Sequence, residues 1–129
     1  NIFDLDKIIF PINESGVHWV CGCLDIKNKR IEYYDSMLLP SYQHQTQYFK
    51  AMRQYIYDEY QDKVGNDKLN VNEYQDIIGN MPKQRNDNDC GVFTLKCAQS
   101  ISNGIINPKF TQSDMPYFRQ KIMIQILTG

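Results

Sequence analysis

The segment from Cys90 to Ser102 limits the fold more than any other. Val92, Phe93, Leu95, Cys97, Ala98 and Ile101 recur at helical spacing and cover most of its circumference. A helix of that kind has to be buried on several sides rather than laid on a surface. Val17–Leu24 has the complementary character. Its odd positions (Val17, Trp19, Cys21, Cys23) and its even positions (His18, Val20, Gly22, Leu24) are both largely apolar. Side chains alternate along a strand, so this pattern predicts a strand covered on both faces, in the middle of a sheet. A buried helix against a central strand needs further elements to enclose it.

The rest of the chain supplies them. Residues 8–12 form a short β-type run, which Pro11 ends or confines to a sheet edge. Asn13-Glu14-Ser15-Gly16 is a turn signal. Lys27–Arg30 is a polar turn, after which Ile31–Tyr34 pairs antiparallel with the preceding strand. Residues 42–64 are predicted helical, with a stripe of Phe49, Met52, Ile56, Tyr60 and Val64, closed by Gly65-Asn66-Asp67. A polar loop over 66–73 leads to a short strand at Tyr74–Ile78, and Asn103-Gly104 caps the buried helix. A last helix runs from about Ser113 to Leu127 over Phe118, Ile122 and Ile126, capped by Thr111 or Ser113, of which Ser113 is favoured because it sets Pro116 within the first turn. Strands come first and helices after, so the fold class is α+β, in one domain over residues 1–129.

Composition narrows the function. A net charge of −1 gives no reason to expect a nucleic acid or an anionic membrane as partner. No apolar run approaches the roughly 18 residues that span a bilayer. Asn1–Asp6 lacks the basic and apolar stretches of a signal peptide. Without an initiator methionine, the chain is expected to be a fragment. Four cysteines (Cys21, Cys23, Cys90, Cys97) in a chain of ordinary hydrophobicity are expected to be reduced thiols of an intracellular protein, in nucleus or cytoplasm. Their spacing lacks the paired pattern of a zinc site, so no metal is expected.

The chemistry gathers at Cys90. It follows a polar loop, Gln84–Asp89, and opens the buried helix, where unpaired backbone N–H groups and the helix dipole favour a thiolate. Gly91 removes a side chain that would crowd an incoming carbonyl. A cysteine nucleophile needs a base, and the base needs an orienter. His18 begins the central strand, where an imidazole needs a partner. Asp35 ends the neighbouring strand, and antiparallel pairing can bring it across to His18. The other histidine, His44, lies in a polar helix entry and is read as solvated. Gln84 offers an amide donor for a developing oxyanion, with the Cys90 N–H as a second.

Val17-His18-Trp19, Tyr33-Tyr34-Asp35-Ser36, Gln84 six residues ahead of Cys90-Gly91-Val92-Phe93, and Asp114-Met115-Pro116-Tyr117-Phe118-Arg119 together resemble the Ulp/SENP family. These are cysteine proteases that process SUMO and related ubiquitin-like proteins. The resemblance runs from about Phe3 to the C-terminus, and corresponds to roughly the C-terminal two-thirds of the family's catalytic domain. It implies a papain-like (adenain-like) fold with a small mixed or antiparallel sheet flanked by helices. It also implies a triad of His18, Asp35 and Cys90, with Gln84 as oxyanion donor. Trp19 corresponds to the tryptophan over the tunnel for the substrate's Gly-Gly tail, where a flat indole excludes larger side chains. The implied activity is peptide or isopeptide cleavage after that tail, for maturation or deconjugation. The implied partner is a ubiquitin-like protein, SUMO first, bound by a monomer that needs no metal or organic cofactor. Two rivals are a binding module that captures a modifier without cutting it, and an acyltransferase on the same triad. For the second, no phosphate-cradling glycine loop or basic cluster is present.

Overall fold

The computed structural model of the protein describes residues 1–65, 69–105 and 107–129. Its elements in order are β1 (Lys7–Glu14), β2 (His18–Asp25), β3 (Arg30–Tyr34), α1 (Tyr42–Lys63), β4 (Gln75–Ile78), α2 (Cys90–Ser102) and α3 (Met115–Thr128). Single 3-10 turns lie at Ile2–Asp4, Val71–Glu73 and Gln112–Asp114. The four strands form one sheet in the order β1-β2-β3-β4. The first three are antiparallel neighbours, and β4 runs parallel to β3. A parallel pair needs a long crossover, and α1 lies within it. The sheet is therefore mixed, in an α+β fold.

The alternation along β2 divides the core in two. Cys21 and Cys23, with Tyr34, pack against Val92, Phe93, Cys97 and Ile101 of α2 and Met115 of α3. Val20 and Leu24, with Ile31 and Tyr33, pack against Tyr48, Phe49 and Ile56 of α1. Burying a side chain such as Phe93 or Ile56, both wholly inaccessible, contributes about 1.5–3 kcal/mol each. The central strand and buried helix read from the sequence thus meet on one face of the sheet.

Several boundaries differ from the sequence reading. Asn13 and Glu14 belong to β1, and the turn is made by Ser15 and Gly16, both at positive φ (53° and 75°). Pro11 lies inside β1, tolerated because β1 is the sheet edge. Val17 stands outside β2 and is exposed. Tyr74 precedes β4, and Val71–Glu73 forms a 3-10 turn rather than open loop. Helix α3 begins at Met115 with Pro116 in its first turn, while Ser113 sits in the preceding 3-10 turn. Thr111 starts that turn, its N–H donating to Asp114 Oδ2 at 2.9 Å. Leu95, Val64 and Ile126 are exposed rather than buried; helical spacing alone does not say how far along a stripe the neighbouring elements reach. The expected helix closure at Asn66-Asp67 and the start of the following loop lie outside the described residues, whereas Gly65 is present at φ 78°.

Candidate active site

The register of the sheet sets where His18 and Asp35 fall. Cys21 pairs with Tyr34, so Asp35 comes opposite Val20, one step past the last paired residue of β3. In antiparallel strands, residues offset by two on the same face lie on a diagonal within reach of long side chains. His18 is that diagonal neighbour of Asp35. Its Nε2 lies 2.7 Å from Asp35 Oδ1, with the two side chains 14% and 4% exposed. The same oxygen accepts the Met37 N–H at 2.9 Å, and the Lys83 ammonium donates to the Asp35 carbonyl at 2.7 Å. The carboxylate is thus fixed by two bonds to Oδ1, and the Asp35 backbone by a third. With Nε2 engaged, Nδ1 is left as the ring nitrogen for a second partner.

Cys90 reaches the same end of the sheet from the opposite face. It is the first residue of α2, so its N–H has no intrahelical acceptor. The residue is buried, yet it lines a groove of about 690 Å³ together with Trp19, Gly91, Leu95, Arg119 and Met123. The other thiols take no part in that surface. Burial pushes Cys23 up to about 12, and contact with Cys21, followed by burial, raises Cys97 further. Both are held as inert thiols in the core.

Trp19 is not a core aromatic. It is 40% exposed on the groove wall. A Cβ added at Gly91 would meet the Trp19 ring at 3.9 Å, an ordinary contact. The protein alone therefore leaves room for alanine at 91, and any demand for glycine there comes from what enters the groove.

Gln84 is buried beside Asp35. Its backbone N–H donates to the Ser36 carbonyl at 2.8 Å, and its Oε1 accepts from the Ser36 hydroxyl. With Oε1 held, Nε2 donates one hydrogen to the Asn86 carbonyl; among the described residues no hydrogen bond takes up the second. Among the described residues, no hydrogen bond joins the Cys90 thiol to His18 or Gln84. The structure thus joins His18 to Asp35, Gln84 to the residue after Asp35, and Cys90 to the groove beside Trp19.

Two groups of residues escaped the sequence reading. The first holds the loop before Cys90. Asp89 accepts from Asn86 Nδ2 and Gln112 Nε2, both at 2.7 Å, and from Arg119 Nε and Nη2 at 2.8 and 2.6 Å. Burial pushes the Asp89 carboxyl up, but the bonds from Asn86, Arg119 and Gln112 outweigh it and hold it below its usual value. The second group corrects the reading of His44. That side chain is half-exposed but not merely solvated: its Nδ1 lies 3.0 Å from Glu14 Oε2. Glu14, His18 and Asp35 each bring one donor atom to within 4.8 Å of the others, a spacing that could hold a cation. Both Glu14 oxygens and Asp35 Oδ1 already accept bonds from the protein.

Comparison with known proteins places this geometry in context. The sequence profile of the Ulp1 protease family, C-terminal catalytic domain, matches residues 1–128. Ubiquitin-like-specific protease 1A of Arabidopsis thaliana is 35% identical over 125 residues, covering 96% of the chain and 24% of that protein. Sentrin-specific protease 2 of Rattus norvegicus is 37% identical, covering 98% of the chain and 21% of that protein. The chain thus spans about a quarter or less of the length of these two relatives. Among solved structures, the C-terminal Ulp1 protease domain in complex with Smt3, the yeast ortholog of SUMO, superposes with a TM-score of 0.83 at 29% identity, covering 98% of this chain and 54% of that one.

Proposed function

The chain belongs to the Ulp1 protease family, within its C-terminal catalytic domain, and on that footing we propose that it forms the reacting half of a cysteine peptidase or isopeptidase. The substrate is a ubiquitin-like protein, cut after its terminal glycine. SUMO is the first choice, because a similar Ulp1 domain has been solved with the yeast ortholog of SUMO.

Cys90 attacks the carbonyl of the terminal glycine. The Cys90 N–H and the second hydrogen of Gln84 Nε2 stabilise the oxyanion. His18 protonates the departing amine, either a lysine ε-amine or a peptide nitrogen. It then takes a proton from the water that hydrolyses the thioester. Asp35 keeps the imidazole oriented through Nε2. Trp19 covers the glycine tail and excludes chains with larger side chains. None of these steps calls for a metal or organic cofactor.

The observation that carries this reading is the 2.7 Å His18–Asp35 bond at the sheet end where Cys90 opens α2. To test it, the protein is incubated with a panel of ubiquitin-like proteins carrying a thiol-reactive C-terminus, and adducts are scored by mass. The expected result is covalent capture of SUMO at Cys90, with Cys90→Ala binding the modifier but forming no adduct. Reversible binding with no adduct at wild-type Cys90 would instead favour a capture module.

A further inference from the structure

Beside the His18–Asp35 pair lies a second, largely covered carboxylate, belonging to Glu14. Glu14 is the last residue of β1 and pairs directly with His18 across the antiparallel ladder. Its side chain is only 10% exposed. Each oxygen has its own donor: the Tyr33 hydroxyl bonds Oε1, and His44 Nδ1, from α1, lies 3.0 Å from Oε2. Burial, and next the bond to Glu14, push the Tyr33 hydroxyl well above its usual range, so it stays a donor. Glu14 is therefore held in place rather than free to turn to solvent. Its carboxylate, a ring nitrogen of His18 and the Asp35 carboxylate all come within 4.8 Å of one another.

Two carboxylates that close repel each other through a partly buried medium, and what relieves the repulsion is positive charge between them. A proton on the His18 ring supplies it. Other charged and titratable groups at this end of the sheet are Lys83, on the Asp35 carbonyl, and Cys90, Asp87 and Arg119, which line the groove beside Trp19. Glu14 and Asp35 are the carboxylates within 4.8 Å of it.

We propose that Glu14, held by Tyr33 and His44, is a positioning residue that sets a second carboxylate beside the His18–Asp35 pair and favours the imidazolium that pairs with the Cys90 thiolate. The inference rests on the triad assignment above. It adds to that triad a carboxylate from the edge strand and gives a use to the second histidine.

The test is the rate of Cys90 alkylation by iodoacetamide as a function of pH, read by mass on the Cys90 peptide, which needs no modifier substrate. An imidazolium–thiolate pair reacts below neutrality, and loss of the His18 proton gives a second, higher inflection. Glu14→Gln is expected to move that upper inflection down by about one pH unit, a tenfold change in the proton's affinity. Glu14→Asp is expected to restore part of the shift. Tyr33→Phe, which keeps the ring in its core position, moves it the same way by less and serves as the test if Glu14→Gln does not fold. His18→Ala separates the two levels of the argument. If His18→Ala abolishes the low-pH reaction while Glu14→Gln or Tyr33→Phe leaves the upper inflection in place, the role of Glu14 is overturned and the triad stands. If His18→Ala leaves the wild-type profile unchanged, the triad fails and takes the inference with it.

Discussion

Trp19 and His18 are adjacent in β2 but serve different faces. His18 looks toward Glu14 and Asp35, while Trp19 stands half-open over the groove beside Cys90 and Gly91. The ring is 40% exposed, so Trp19→Ala removes only a part-covered aromatic and is expected to cost about 1–3 kcal/mol of stability while raising KM for a glycine-tailed substrate well above the wild-type value. Thermal melts and steady-state kinetics on one preparation check both halves. A large loss of stability with unchanged KM would return Trp19 to an ordinary packing role. The pairing of His18 with Asp35 was legible in the sequence, because strand alternation and antiparallel pairing fix which side chains face each other. The bond from Glu14 to His44 was not. It joins a strand end to a helix, and nothing in the spacing of either records how α1 is docked.

At the scale of elements, the site depends on how the loop before α2 is anchored. Asp89 ties that loop to α3 through Arg119 and to the preceding 3-10 turn through Gln112. Its carboxyl is held below the usual 3.8 in the fold. The stability it contributes is therefore present above that value and is lost as pH falls through the lower, folded-state value. Arg119→Ala removes a principal partner. The stability gap between wild type and variant should be widest near neutrality and should close as pH falls through the lowered folded-state value, where Asp89 becomes protonated in both. Thermal melts across that range give the measurement; a gap independent of pH would mean that Arg119 acts through packing instead. The sequence placed Asp89 in a polar loop and Arg119 on a helix, but residues so far apart in the chain carry no periodic sign of meeting. A second element-scale constraint lies at the end of β4. A Cβ on Gly79 would overlap the Tyr34 ring. Tyr34 is itself buried and donates to Glu32 Oε2 at 2.7 Å, so it has little room to yield. Gly79→Ala is expected to cost about 1–3 kcal/mol, read as a lower denaturant midpoint. Equal midpoints would show that the ring moves freely.

Across the whole molecule, the sheet separates two packed layers, α1 on one side and α2 with α3 on the other. The proposed chemistry is built where the layers end. Imidazole and carboxylate arrive from the α1 face, and sulfur from the α2 face. This arrangement was readable in outline, since a strand apolar on both faces and a helix apolar nearly all round have few ways to be enclosed. The limits of enclosure were not. Leu95, Met123, Ile126 and Leu127 fit helical stripes yet line an open groove, because a stripe reports which residues can share a face and not whether another element reaches them. The proposed chemistry requires imidazole, carboxylate and thiol to act as one unit. The most direct measurement is the release of an aminocoumarin from the C-terminus of SUMO by wild type and by His18→Ala, at equal folded concentration. The rate is predicted to fall by roughly 10²–10⁴-fold on loss of the imidazole; turnover by His18→Ala at the wild-type rate would contradict the account.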